Sequence, residues 1–297
     1  MDKSAAIKAP FTALPEHALL ELEGRDAIAF AQAQFMGDLS ALADGQWQWS
    51  GWLSPKGRVQ ALFALLRSGP ETLWLVLPDG DAVALAAALG RFVFRSKVTL
   101  RIPEGRSVCG ILGPPASASG ADSATDARGR IELDVGDGTR PRTLRICNGC
   151  DNPVDADVLA RWRAYDLAHG LPRPGVAGLD AWTPQQLSLD RLRAYSVRKG
   201  CYPGQEIVAR THYLGQAKRG LALFGADAAP APGAAVMEGD RNIGTVTCAT
   251  PSAGEVPGHA ALVLAVIPLD RSSDPTAPWT ADGQPLAPLP LLDGLAR

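Results

Sequence analysis

The sequence predicts an α+β protein that ends in a small β-barrel. Helical and strand patterns alternate in its first third, and two strands there follow each other across one tight turn, which indicates an antiparallel sheet. Short strands and turns without helical spacing then fill residues 218 to about 269. We expect three segments, an N-terminal α+β subdomain (1–112), a second α+β subdomain (113–217) and the barrel (218–297).

The amino-acid composition excludes several classes of protein. The chain has 297 residues, of which 46% are hydrophobic and 20% charged, so it can bury a full core and is neither disordered nor a small disulfide scaffold. The net charge of -2 gives no global attraction to nucleic acid. Pro and Glu residues interrupt the first 24 positions where a signal peptide needs an unbroken apolar stretch, and no later run has the length of a membrane span. The five cysteines are an odd number, which fits free thiols in a reducing compartment. We therefore expect a cytoplasmic monomer without membrane contact.

The first segment predicts a sheet with two helices. The proposed hairpin turn, Ser54-Pro55-Lys56-Gly57, has Pro at its second and Gly at its fourth position, which favours a type I turn. Asp79 or Asp81 can cap the second helix, which ends near Gly90. In order, the elements are strand 18–23, helix 26–34, hairpin strands 46–53 and 58–66, strand 72–77, the second helix, and strand 92–102.

The second segment begins with a loop. Residues 113–130 are rich in Gly, Pro, Ser, Ala and Asp, and strands 131–135 and 142–147 follow. Residues 155–168 place apolar side chains at mostly helical spacing before Gly170 and Pro172 end the helix. The last ~30 residues are Pro-rich and either pack as extended segments or fray.

The most informative stretch is Arg198–His212. Two glycines bracket Cys201, and the turn they suggest leads into a short helix in which Glu206 and Arg210 form an i,i+4 pair. Arg198 and Lys199, with the positive end of the helix, would favour the thiolate of Cys201. The alternative is a small buried thiol in a structural turn, and spacing alone leaves both interpretations open.

This stretch resembles the defining motif of the YgfZ-type folate-binding proteins, relatives of the glycine-cleavage T-protein. The resemblance extends over roughly residues 15–268, through Gly24–Gln34 with Asp38, Leu53–Val59, Phe94–Val98, Gly170–Pro172 and Asn242–Val246. It implies a T-protein-like ring of small α+β subdomains around a central folate channel, followed by the barrel. It also implies that the functional motif comprises Lys199, Gly200, Cys201 as the functional thiol, Tyr202, Gly204, Gln205, Glu206 and Arg210.

The resemblance also implies a function. The cofactor would be tetrahydrofolate or a one-carbon derivative, and the role would be support of iron–sulfur cluster assembly or repair and of the tRNA modification that depends on it. Partners would then be iron–sulfur enzymes or assembly factors. Direct binding of tRNA has weaker support, because the net charge is close to neutral.

Two alternatives to this function differ in chemistry. Glycine-cleavage T-proteins carry an Asp pair just after the hairpin Gly, where this chain has Gln60 and Ala61, which cannot handle a proton. We therefore place a folate-dependent aminomethyltransferase second. A ligand-free docking factor for tRNA or client proteins is the other alternative. The chain also has Val197 and Asp190 where the family usually has an aromatic residue and Asn.

A folate site needs an aromatic plate for the pterin and cations for the glutamate tail. Trp162 matches a tryptophan of the family's folate pocket, although its spacing also suits the core face of a helix. His17 lies where some relatives have a second pocket tryptophan. Trp47, Trp49 and Trp52 are more typical of sheet and core, and Lys56 and Arg58 either meet the anionic tail or are solvated turn charges.

The remaining cysteines and histidines suggest little chemistry. Cys147-Asn148-Gly149-Cys150 is a C-x-x-C without a second pair for zinc, and Pro153 postpones the helix that a redox motif requires. We interpret it as a loop between strand and helix and predict no metal. His169, His212 and His259 are scattered, with His212 in the last turn of the motif helix.

Overall fold

The structure is a computed structural model that describes residues 10–149, 152–173, 175–215, 217–270 and 278–297. Its α-helices are α1 (Ala27–Gln34), α2 (Ala82–Gly90), α3 (Ala156–Ala168), α4 (Gly175–Gly178) and α5 (Gln205–Tyr213), and a 3-10 turn spans Leu179–Ala181. Its strands are β1 (Thr12–Ala13), β2 (Ala18–Glu23), β3 (Trp47–Leu53), β4 (Val59–Gly69), β5 (Thr72–Leu77), β6 (Thr99–Arg101), β7 (Arg106–Ile111), β8 (Ala124–Thr125), β9 (Ile131–Asp134), β10 (Thr143–Asn148), β11 (Arg219–Ala226), β12 (Ala235–Glu238), β13 (Arg241–Pro251), β14 (Ala261–Pro268), β15 (Trp279–Ala281), β16 (Gln284–Pro285) and β17 (Ala287–Leu289).

The first sheet has the antiparallel order β3-β4-β5-β2-β6. Its hairpin turn closes through the amide of Gly57, which donates to the carbonyl of Ser54 over 2.9 Å, as predicted. Asp81 caps α2 by accepting from the amide of Ala84 over 2.9 Å. Helices α1 and α2 bury their apolar sides in the core on one face of this sheet.

The second sheet has the strand order β1-β7-β10-β9-β8, and α3 packs on it. Alternation along β7 and β10 sends Val108, Leu144 and Ile146 into the same core as Trp162 and Tyr165 of α3. That core also receives side chains from the other face of the first sheet, so the two sheets share it. Strands β1 and β7 come from the segment that we assigned to the first subdomain, and the three-segment division stays a prediction.

The third sheet is a nearly closed barrel with the order β16-β15-β12-β13-β14-β11-β17. Phe224, Val236, Val246 and Val263 belong to its own core cluster. Of the two alternatives for the C-terminal residues, packing is the one observed: β15 to β17 pair into the sheet, and Leu295 is buried in the shared core. The predicted α+β class with a T-protein-like arrangement and a C-terminal barrel is confirmed.

One predicted element is wrong. Only Thr99–Arg101 of the predicted strand 92–102 is a strand, because residues 91–96 leave α2 through turns and bends that expose Phe92 and Phe94. Residues 98–102 do alternate between apolar and polar side chains, but no described strand pairs with residues 92–98. Among the described residues, no helix has both the length and the apolarity needed to cross a membrane.

Candidate functional site

The motif forms a turn that leads into α5. Gly204 has a φ of +77°, a left-handed conformation that glycine adopts without strain, and the helix begins at Gln205. Cys201 lies just before this turn and is exposed, as are Arg198 and Gly200. Of the two interpretations of Cys201, the structure therefore favours an accessible thiol over a buried one.

Two glycines allow the motif to pack closely against the hairpin of the first sheet. A Cβ on Gly204 would lie 2.6 Å from the carbonyl oxygen of Ser54, and one on Gly57 would lie 2.8 Å from the Cβ of Ile207. Gly57 also has a positive φ, of +70°. The hairpin turn and the start of α5 thus meet backbone to backbone, and neither turn has room for a larger residue.

Lys199 anchors the motif from the other side. Its side chain is buried, and its Nζ donates to the carbonyls of Phe35 and Gly37 over 2.6 and 2.8 Å, just beyond the end of α1. Burial lowers the pKa of Lys199 to about 8. The ammonium group is therefore engaged with backbone carbonyls, a structural use that we did not predict from the sequence.

Other motif side chains also hold the backbone. The hydroxyl of Tyr202 donates to the carbonyl of Ser196 over 2.9 Å, and the amide of Gln205 donates to the carbonyl of Lys199 over 3.0 Å. Glu206 and Arg210 are exposed on α5, and within the described residues no ion pair joins them. The motif is thus a rigid backbone that holds one thiol in solvent, beside exposed charges.

Trp162 is enclosed in the shared core. Its side chain is 2% exposed, and the guanidinium of Arg142 lies 4.3 Å from its ring centroid. A Cβ on Gly110 would come within 2.6 Å of the same ring, so the β7 backbone packs directly on it. His17 meets Trp162 edge-on at 6.3 Å, and burial, followed by the charges of Arg173 and Arg142, holds the His17 pKa well below its ordinary value.

The chamber at Trp162 does not fit tetrahydrofolate. Its volume is about 10 Å³, whereas ligand pockets generally measure ~300–1,000 Å³. Arg142 also covers the face of Trp162 and is held there by Asp166, whose carboxylate accepts its NH1 over 2.6 Å. The structure brings together Trp162 and His17, as the resemblance implies, but in a closed arrangement.

The other tryptophans divide into two groups. Trp47 and Trp49 are buried and donate their indole N–H groups to the carbonyls of Gly120 and Leu295. Trp52 is half-buried beside a cavity of about 220 Å³, and its buried Nε1 has no hydrogen-bond partner among the described residues. Gln60 lies in the same cavity and donates its amide to Asp180.

The two cations of the hairpin turn have different surroundings. Lys56 is exposed. Arg58 turns toward the segment before α5, where its NH1 donates to the carbonyl of Ala181 over 2.7 Å and to the side-chain oxygen of Gln186 over 3.2 Å. Arg58 thus braces the hairpin, whereas Lys56 is a solvated turn charge.

Cys147 has a partner that the sequence did not reveal. It lies in β10, and its Sγ is 2.8 Å from the Sγ of Cys109 on neighbouring β7. The hydrogen bond with Cys109, aided by Arg145 and Arg130 and opposed by burial, lowers the pKa of Cys147 to about 7. Cys150 lies outside the described residues, so the predicted loop is observed only in part.

The scattered histidines belong to local structure. His169 is buried at the end of α3, and its Nε2 lies 2.8 Å from a carboxylate oxygen of Asp137. His212 is exposed near the end of α5, as predicted. In the part of the chain that the structure describes, no three His, Cys, Asp or Glu side chains are arranged to hold a metal ion.

The arrangement of sheets, α3 and barrel defines a T-protein-like fold. Aminomethyltransferase T of the glycine cleavage system from Bartonella henselae superposes with a TM-score of 0.74 over 96% of this chain and 87% of that one, at 15% sequence identity. No protein-family model matches the chain.

By sequence, the chain is similar to proteins named tRNA-modifying protein YgfZ. That of Edwardsiella ictaluri is 29% identical over 221 residues, which cover 68% of this chain and 66% of the relative. That of Escherichia coli O157:H7 is 27% identical over 272 residues and 83% of each chain. An uncharacterized protein of Haemophilus influenzae is 27% identical over 72% of each chain. The resemblance to YgfZ-type proteins that the motifs indicate is confirmed.

Proposed function

We propose that this protein is an accessory factor for tRNA modification by iron–sulfur enzymes, with the thiol of Cys201 as its functional group. The observation that carries the proposal is the motif itself. Gly204, Lys199, Tyr202 and Gln205 all serve to fix a backbone turn, and Cys201 is the exposed group that this turn presents. The similarity to proteins named for tRNA modification supports the same role.

The test of the thiol is complementation. In cells that lack the native protein, Cys201→Ser should abolish rescue of an iron–sulfur tRNA-modifying enzyme, measured as the modified nucleoside in digested tRNA. Cys248→Ala is the matched control, because this cysteine of β13 is buried in the shared core, where burial raises its pKa to about 11. Full rescue by Cys201→Ala would contradict the proposal and leave the motif a structural turn.

Because of the T-protein-like fold, we propose tetrahydrofolate or a one-carbon derivative as the ligand. The chamber at Trp162 is closed, however, and binding there requires a change in the structure. A pterin can stack on Trp162 only if Arg142 leaves the ring face, so binding there must be coupled to a local opening. We expect tetrahydrofolate to quench tryptophan fluorescence and raise the melting temperature, with ~2.7 kcal/mol of added stability at about 100 times the dissociation constant. A folded protein that shows neither change would refute the folate part of the proposal alone.

One observation keeps aminomethyl transfer as a second candidate. Gln60 replaces a T-protein acid, but the carboxylate of Asp180 accepts from its amide in the same cavity and places an acid near that position. We still expect no aminomethyl transfer to tetrahydrofolate, with a T-protein assayed in parallel. If the protein does catalyse aminomethyl transfer and Asp180→Asn abolishes it, the aminomethyltransferase becomes the better-supported function.

A further inference from the structure

An exposed aromatic loop follows α2. Phe94 is 86% exposed and Phe92 is 48% exposed, although phenylalanine is among the residues most often buried. The two rings lie within residues 91–97, where the sequence is Arg-Phe-Val-Phe-Arg-Ser-Lys. An exposed aromatic patch of this kind marks an interaction surface.

Positive charge surrounds these rings. Arg91, Arg95 and Lys97 are exposed, and the guanidinium of Arg95 lies 5.4 Å from the centroid of Phe94. Arg25 is also exposed and adjoins the loop, because the amide of Asp26 donates to the carbonyl of Lys97 over 3.2 Å. Within the described residues, none of these four cations has a carboxylate within 4 Å.

A small cavity adjoins the loop. It measures about 220 Å³ and is lined by residues of α2, by Trp52 and by the polar pair Gln60 and Asp180. Asp81 also lines it, and its carboxylate is engaged in capping α2. The ring of Phe92 meets Trp52 edge-on, 6.2 Å between centroids, and so connects the cavity to the exposed loop. The indole N–H of Trp52 is itself buried, so Trp52 offers the cavity its ring surface and not this donor.

We propose that loop 91–97 and this cavity bind a single-stranded segment of nucleic acid. One base enters the cavity beside Trp52, where its polar edge meets Gln60 and Asp180, and a neighbouring base stacks on Phe94. Arg91, Arg95 and Lys97 contact the phosphates. This combination of stacking surfaces with cations is what single-strand binding requires.

The charge and the cavity favour nucleic acid over a protein partner. A purely apolar partner would leave four cations without counter-charges. The cavity is smaller than the ~300 Å³ at which drug-sized ligand pockets begin, and suits one flat ring system. A glutamate-rich peptide would satisfy the cations but has no flat ring system to fill the cavity beside Trp52.

The test is fluorescence anisotropy with the full chain and a labelled single-stranded RNA of about ten nucleotides. We expect Phe94→Ala and Arg95→Glu each to weaken binding roughly ten-fold, because each removes a stacking surface or a phosphate contact. Trp52→Phe replaces the indole with a smaller ring and so reduces the flat surface beside the cavity, and it should weaken binding about five-fold. Binding should also fall as salt is raised.

The matched controls lie elsewhere on the surface. Tyr213→Ala removes another exposed aromatic residue, and Arg128→Glu makes the same change of charge as Arg95→Glu. Neither should alter binding, and equal loss in the controls would show that the interaction is nonspecific and overturn the proposal. Melting curves confirm that each variant is folded.

Further arms define the ligand. Stronger binding of RNA than of DNA of the same sequence would identify RNA as the nucleic acid, and the reverse would identify DNA. Absence of binding to both at low salt would refute the proposal, as would binding of a glutamate-rich peptide in their place. Cys201→Ser should leave nucleic-acid binding unchanged, so failure of the thiol proposal and failure of this one are distinguishable.

Discussion

At the scale of single residues, Lys199 shows how a charged side chain serves as a structural anchor. Its ammonium is buried and donates to two carbonyls beyond the end of α1, so it joins the motif to the segment that follows α1. Burial lowers the pKa of this ammonium to about 8, and the charge of nearby Asp38 opposes the shift only in part.

The lowered pKa makes stability depend on pH in a defined direction. The ordinary lysine pKa is 10.5. Between about pH 8 and 10.5 the unfolded chain therefore binds a proton at Lys199 that the folded chain does not, and raising the pH favours folding. We expect the free energy of unfolding of the native protein to rise across this range relative to that of Lys199→Met, in urea titrations at each pH. Parallel curves for the two proteins would contradict this assignment.

At the scale of elements, the contact between the hairpin turn and α5 explains why glycines lie on both sides. Gly57 and Gly204 both have positive φ values, and each lacks space for a Cβ. Each of these positions therefore needs glycine for two separate reasons, the positive φ and the lack of space for a side chain. The contact places the start of α5, and with it Cys201, at a fixed point over the edge of the first sheet.

Three alanine substitutions separate these requirements. Gly204→Ala meets both strain and a clash with the carbonyl of Ser54, Gly45→Ala meets strain alone because no atom lies within 4 Å, and Gly200→Ala meets neither. We expect Gly45→Ala to cost about 1–2 kcal/mol of unfolding free energy, Gly204→Ala to cost more, and Gly200→Ala almost nothing. Equal losses at Gly45 and Gly204, measured by urea unfolding, would show that the close contact has no energetic weight.

Much of the element pattern could be predicted from local signals. The strands at 18–23 and 72–77, the hairpin and the Asp81 cap are all specified by residues near one another in sequence. The failed strand at 92–102 shows the limit, because strand formation also needs a neighbour with free backbone groups. The Cys109–Cys147 contact was missed for a related reason, since it depends on the register of two strands that are distant in sequence.

At the scale of the whole molecule, a buried ionic network joins the parts of the fold. Asp166 of α3 pairs with Arg142 and Arg173, both over 2.6 Å, and the side chains of all three are at most 4% exposed. Arg173 also pairs with Asp79, which follows β5, and with Glu16, which precedes β2. Its amide lies 3.4 Å from the Sγ of Cys248 in the barrel. The sequence identified Trp162 but not Arg142, because the closing of the chamber depends on this long-range network.

Replacement of Asp166 should therefore lower the stability of the whole molecule. Asp166→Asn keeps the shape of the side chain but leaves two buried guanidinium groups without their shared carboxylate. Breaking a buried pair in this way costs about 3–5 kcal/mol, so we expect a fall of that size in the free energy of unfolding, measured in urea. The control is Asp44→Asn, which breaks the half-exposed pair with Arg67 and should cost at most about 1 kcal/mol. If the two variants were equally stable, the network would not be a major stabilising contact, and Arg142 would be held over Trp162 chiefly by its bonds to the carbonyls of Val135 and Trp162.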